Sequence, residues 1–143
     1  MDFPYLDGKN PVEFSSLALA YIGDAVYEVY VRSHLLDGGN IPVKKLHKLS
    51  IGYVCAGAQS KIVHELEAHL GEEERAVYKR GRNAHSNTSA KNADIVDYRH
   101  ATGFEALIGY LFISKRYERL NEIIRLSFEI ANKTTDTEEE SNE

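Results

Sequence analysis

Residues 17–31, LALAYIGDAVYEVYV, decide how the rest of the chain is read. The run has good helix formers and no proline, and its apolar residues recur too densely to line a single face, which predicts an α-helix covered on most sides. Followed outward, the pattern holds over 12–36 and stops at the turn residues DGGN, 37–40, so this segment is expected to be the central helix of the fold. Asp24 stands in the middle of it. An isolated buried carboxylate costs several kcal/mol unless it is paired, hydrogen-bonded or bound to a metal. Whatever compensates Asp24 therefore bears on what the protein does.

Downstream, Pro42 suits a helix start, and Val43, Leu46 and Leu49 keep helical spacing. Val54, Ala58, Ile62, Leu66 and Leu70 form one face of a third helix, for which Gly71 suits the C-cap. Glu72, Glu73 and Glu74 favour the positive end of a fourth helix that runs toward Arg80 and breaks near GRN, 81–83. From Gly81 to about Asp97 the chain is rich in Gly, Asn, Ser and Thr without a period, which reads as a long functional loop. Helices resume over 99–114, carrying FEALIGYLF, and over 117–131, with Leu120, Ile123, Ile124 and Ile130 turned inward. No stretch alternates with the period of a strand. The expected fold is all-α, one domain over 1–132 followed by an acidic disordered tail over 133–143.

Composition narrows the function classes. The first residues lack the basic and apolar regions of a signal peptide, and no 18-residue apolar run occurs, so a cytoplasmic protein without a membrane partner is expected. Cys55 is the one cysteine, which excludes an intrachain disulfide or a cysteine-cluster zinc site; among small neighbours it reads as packing. The six histidines form no HExxH pattern, and neither a GxSxG elbow nor a GxxxxGK[ST] loop is present. The net charge of −5 misleads: five of the 22 acids lie in TTDTEEESNE, 134–143, leaving 17 acids against 17 Lys and Arg. From Arg75 to Ala93 there are five Lys or Arg and no acid, a footprint suited to phosphates.

Glu105 repeats the oddity of Asp24, with apolar neighbours on both sides and Gly103 two residues upstream, as Gly23 precedes Asp24. Glycines there allow close helix approach or ligand access. If the two carboxylates converge, their repulsion raises one pKa strongly unless a cation intervenes. A hard ion such as Mg²⁺ takes oxygen ligands, keeps several waters and bridges to phosphates. The competing expectation is that each acid pairs with an arginine or caps a backbone group. Glu28, one turn beyond Asp24, can join the pair or face Arg32 as an i,i+4 partner, and the second is expected.

Together, YIGDAVYE (21–28) and FEALIGYLF (104–112) resemble the two signature segments of the ribonuclease III catalytic domain. With LALAYIGDAVYEVYVR, LHKLS and KRGRNAHSNTSAKNADIVDYRHATGFEALIGYLF in family order, the chain is most similar to the mini-ribonuclease III branch up to about residue 132. The resemblance implies an all-helical endonuclease domain that works as a homodimer on double-stranded RNA with Mg²⁺, trimming ribosomal RNA precursors, most often those of the large subunit (23S). It also implies that Asp24 and Glu105 are the catalytic, metal-binding acids. Two further acids of the full-length family are replaced here by Ala20 and Thr102, so the metal is expected to lean on water, substrate phosphate, Asp94 or Asp97. The same departure supports a rival reading, a catalytically inert double-stranded RNA-binding or ribosome-associated protein of this fold. No double-stranded RNA-binding domain is expected to follow, so the catalytic domain is expected to grip RNA itself. Charge and loop character assign Lys79, Arg80, Arg82 and Lys91 to phosphates, with Asn83, Ser86, Asn87 and Thr88 on sugars or base edges.

Overall fold

The structure, a computed structural model, describes residues 3–84 and 93–141, with side chains over 3–84 and 94–133. Those residues form six α-helices and two short 3₁₀ turns, Pro11–Glu13 and Glu67–His69, and no strand. None of the described helices is long and apolar enough to cross a membrane.

Helix α1 spans Ser16–Asp37; Ser15 Oγ caps it by accepting from the Ala18 N–H at 3.1 Å. Helix α2 is Val43–Val54, entered from Pro42. Helix α3, Ala56–Leu66, starts at Cys55, whose exposed Sγ accepts from the Ala58 N–H at 3.4 Å. The expected packing role of Cys55 is thus replaced by a capping role. Gly71 also differs from expectation: it is the N-cap of α4, Glu72–Arg82, and its N–H donates to Glu74 Oε1 at 2.8 Å. The 3₁₀ turn had already ended the previous helix. Helix α5, Ala93–Ile113, begins inside the segment read as a loop, because Asp94 and Asp97 favour a helix start as well as they favour a turn. Helix α6, Tyr117–Ser141, carries helical backbone ten residues past the end expected from its apolar period and into the acidic segment read as disordered.

Helix α5, not α1, is central. Phe104, Ala106, Leu107, Ile108 and Leu111 are wholly buried, and they meet Tyr27 and Val31 of α1, Ile62, Val63 and Leu66 of α3, Val77 and Tyr78 of α4, and Leu120 and Ile123 of α6. Helix α1 covers one flank only. Its outer side leaves Leu17, Tyr21 and Val29 exposed, Tyr21 to 83%, in line with Ala25. An all-round apolar helix is consistent with a buried hub or with a second interface, and sequence spacing does not separate these.

Two helix crossings position the site. At the first, a Cβ on Gly23 would stand 1.8 Å from the Glu105 carbonyl oxygen, and a Cβ on Gly109 would stand 1.9 Å from the Leu19 carbonyl oxygen. The reciprocal glycines let α1 and α5 touch backbone to backbone, the close helix approach foreseen for Gly23. At the second, a Cβ on Gly103 would meet Tyr78 at 2.7 Å, and one on Gly81 would meet Ala106 Cβ at 2.8 Å. The basic end of α4 is thereby held against the same turn of α5 that carries Glu105.

Candidate functional site

The first crossing brings Asp24 of α1 within electrostatic reach of Glu105 of α5. Asp24 is not buried as its apolar neighbours suggested: it stands exposed. Partial burial pushes its carboxyl pKa up, and the charge of Glu28 adds to this. Glu105 is the half-buried member. Burial first, and then the charge of Asp24 with a smaller contribution from Glu28, pushes Glu105 up to about 8, against a hydrogen bond from Gln59 that acts in the opposite sense. Without a cation the pair relieves its repulsion by holding a proton on Glu105 at neutral pH.

Glu28 reaches Arg32 at 3.1 Å, the i,i+4 pairing expected of it. Thr102 is buried and its hydroxyl donates to the Tyr98 carbonyl at 2.9 Å, while Ala20 is buried without a polar atom, so neither adds an oxygen to the pair. Asp97 does not join either: its carboxylate lies over the first turn of α3, 3.7 Å from where a Gly57 Cβ would be. Among the described residues no group of three or more His, Cys, Asp or Glu is placed to hold a metal.

Two further residues stand at this site. Gln59 of α3 is 1% exposed; its amide donates to the Val54 carbonyl at 3.1 Å and to Glu105, and its Oε1 has no partner among the described residues. Tyr27 is fully buried, donates to the Tyr53 carbonyl at 2.8 Å, and is pushed up by burial so that it keeps its proton. Only one signal pointed to Gln59: an amide at position 59, in register with the inward Ile62, Val63 and Leu66. Two carboxylates and a buried amide oxygen are all hard oxygen donors. That set suits Mg²⁺ and not a soft metal.

The basic residues sit at the end of α4, which packs against α5 at Gly103. Lys79 and Arg80 are exposed in the last turn of α4, and Asn83 is its C-cap. Arg82 lays its guanidinium 5.7 Å from the Tyr78 ring centroid, while the Tyr78 hydroxyl meets His100 Nδ1 at 2.5 Å and ties α4 to α5. Lys91, with Ser86, Asn87 and Thr88, lies outside the described residues.

Comparison with known proteins gives a match over most of the chain. A model of the ribonuclease III domain matches residues 17–116. The mini-ribonuclease 3 of Clostridium tetani is 48% identical over 130 residues, 90% of this chain and 86% of that protein. That of Brevibacillus brevis is 51% identical over 122 residues, 85% of this chain and 91% of that protein. A crystal structure of a Fusobacterium nucleatum protein superimposes with a TM-score of 0.71 at 30% identity, over 81% of this chain and 93% of that one.

Proposed function

Because the chain belongs to the ribonuclease III family and is a ribonuclease of that type, we propose that it is a Mg²⁺-dependent endonuclease of double-stranded RNA. The reading rests on the electrostatic coupling of Asp24 and Glu105 across the glycine crossing of α1 and α5. Asp24 and Glu105 are the residues that would hold the ion, which when bound polarises the scissile phosphate and lowers the pKa of attacking water. Their own task is to stay ionised and aimed, and the raised pKa of Glu105 makes that depend on a compensating positive charge. Gly23 and Gly109 keep the two helices at the separation this requires. Lys79, Arg80 and Arg82, with Asn83 and Lys91, neutralise phosphates flanking the cut and fix the duplex by its backbone and shape.

The active form is a homodimer. Leu17, Tyr21, Ala25 and Val29 form an exposed row on α1, and Ala25 and Val29 also line a cleft of about 460 Å³ with Ile22, Val26, Tyr30 and Phe112. An exposed apolar face of this kind fits a second copy better than water. Two carboxylate pairs, one per copy, then give one cut in each strand. The substrate is an rRNA precursor, most often that of the large subunit, and the site of action is the cytoplasm.

The deciding experiment is cleavage of a long RNA duplex with Mg²⁺ by the parent protein and by Asp24→Asn, both with native circular dichroism. Cutting by the parent alone supports the reading. If both bind duplex and neither cuts, the protein is the inert RNA-binding relative that the replacements at Ala20 and Thr102 suggested.

A further inference from the structure

Gln59 is a buried carboxamide whose surroundings account for only part of it. The side chain shares the inward face of α3 with Ile62, Val63 and Leu66 and is 1% exposed. A carboxamide in such a place needs its donors and its oxygen matched. The donors are: Nε2 serves the Val54 carbonyl at 3.1 Å and the Glu105 carboxylate. The oxygen is not, since Oε1 is without a partner among the described residues. Turning the amide over does not help, because it would set oxygen against the Val54 carbonyl and forfeit that hydrogen bond. The neighbours fix the orientation, and it leaves a buried acceptor beside the carboxylate pair.

The missing partner must be a donor that arrives with something else. Positions 20 and 102 supply no oxygen to the pair, Ala20 having none and Thr102 using its hydroxyl on Tyr98. A hard divalent cation held by two carboxylates keeps several waters, and each water is a donor. We propose that Gln59 is a positioning residue of the cation site: its Nε2 holds the Glu105 carboxylate, and its Oε1 accepts a hydrogen bond from a cation-bound water. The inference rests on the reading of Asp24 and Glu105 as the cation-holding pair. Gln59 would thus do by hydrogen bonding part of what the absent acids do in the full-length enzymes.

The two functions of the amide separate by substitution. Gln59→Met keeps the length and removes donor and acceptor together; Gln59→Glu keeps an acceptor but, once ionised, cannot donate. The measurement is Mn²⁺ binding by the full chain without RNA, read from loss of the free-ion electron paramagnetic resonance signal, with Asp24→Asn as reference. The parent binds and Asp24→Asn does not. Gln59→Met should bind roughly 10- to 100-fold more weakly, the usual loss for an outer-shell partner, whereas Gln59→Glu should match or exceed the parent. Weakening by both variants would mean that only the donor matters and would overturn the acceptor role. Unchanged binding by Gln59→Met beside a silent Asp24→Asn would overturn the inference and leave the carboxylate site standing. A parent that binds no better than Asp24→Asn would remove the carboxylate site itself. If Gln59→Met does not fold, Gln59→Glu still decides, since weaker binding by it contradicts the proposal.

Discussion

Removing the charge of Glu105 should stabilise the metal-free protein, and the gain should grow with pH. In the folded chain its carboxyl is pushed from an ordinary 4.5 up to about 8, by burial first and by Asp24 second. Between those values the folded protein holds a proton that the unfolded chain has released. The stability linked to that proton is therefore fully present below pH 4.5 and is lost as the pH rises through about 8. Each pH unit of that span corresponds to about 1.4 kcal/mol, so the parent should lose about 3–5 kcal/mol across it. Glu105→Gln keeps the size of the side chain and the acceptor that Gln59 needs, and it does not titrate. Thermal unfolding in a chelator at pH 5 and pH 8.5 should show the two proteins diverging, the variant melting roughly 10 °C higher at the alkaline end. Adding Mg²⁺ at pH 8.5 should raise the parent's Tm and leave the variant's unchanged. Parallel pH profiles for the two would refute the electrostatic argument, because Glu105 would then titrate as an ordinary surface acid.

Further outcomes follow from particular contacts. Gly23→Ala puts a methyl 1.8 Å from the Glu105 carbonyl oxygen and should cost about 3 kcal/mol or more by forcing α1 off α5. Gly52→Ala in α2 meets nothing within 4 Å and should stabilise by about 0.5–1 kcal/mol; equal urea midpoints for the two variants would contradict the crossing. Glu74 is 6% exposed, receives both Nε and an Nη of Arg119 at 2.8 Å, and is held below the usual carboxylate range chiefly by that contact. Arg119→Ala should cost about 3 kcal/mol at pH 7 by stranding the acid, with the deficit shrinking as the pH falls and Glu74 protonates; a deficit that stays constant down to pH 3 would point to lost packing instead. Arg82→Ala should weaken duplex RNA binding and reduce the magnitude of the log–log salt slope by about 1 with little change in Tm, and an unchanged slope in a fluorescence anisotropy series would remove Arg82 from the RNA interface.

The sequence by itself determined the helical class and the ribonuclease III resemblance and singled out the two acids as candidates, because all three are written in local pattern: helical spacing of apolar residues, and YIGDAVYE and FEALIGYLF in order. The i,i+4 pairing of Glu28 with Arg32 was legible for the same reason, since one helix contains both partners. What lay beyond it were relations between helices. Helices α1 and α5 are both apolar all round, and only packing decided that α5 is the hub and that Asp24 is exposed. Gly71 and Cys55 proved to begin helices, because a cap is defined by where the backbone turns and not by residue type alone. Gly109 lies in FEALIGYLF, but the reason no side chain fits there is the Leu19 carbonyl oxygen of another helix. Gln59 carried the weakest signal of all, an amide among aliphatic residues. Its meaning comes from the Glu105 carboxylate on one side and an unmet oxygen on the other, across 46 residues of chain. Local periodicity encodes which face a residue occupies; what that face meets, and hence the burial, pKa and hydrogen bonding of its side chains, is set only when the helices close on one another.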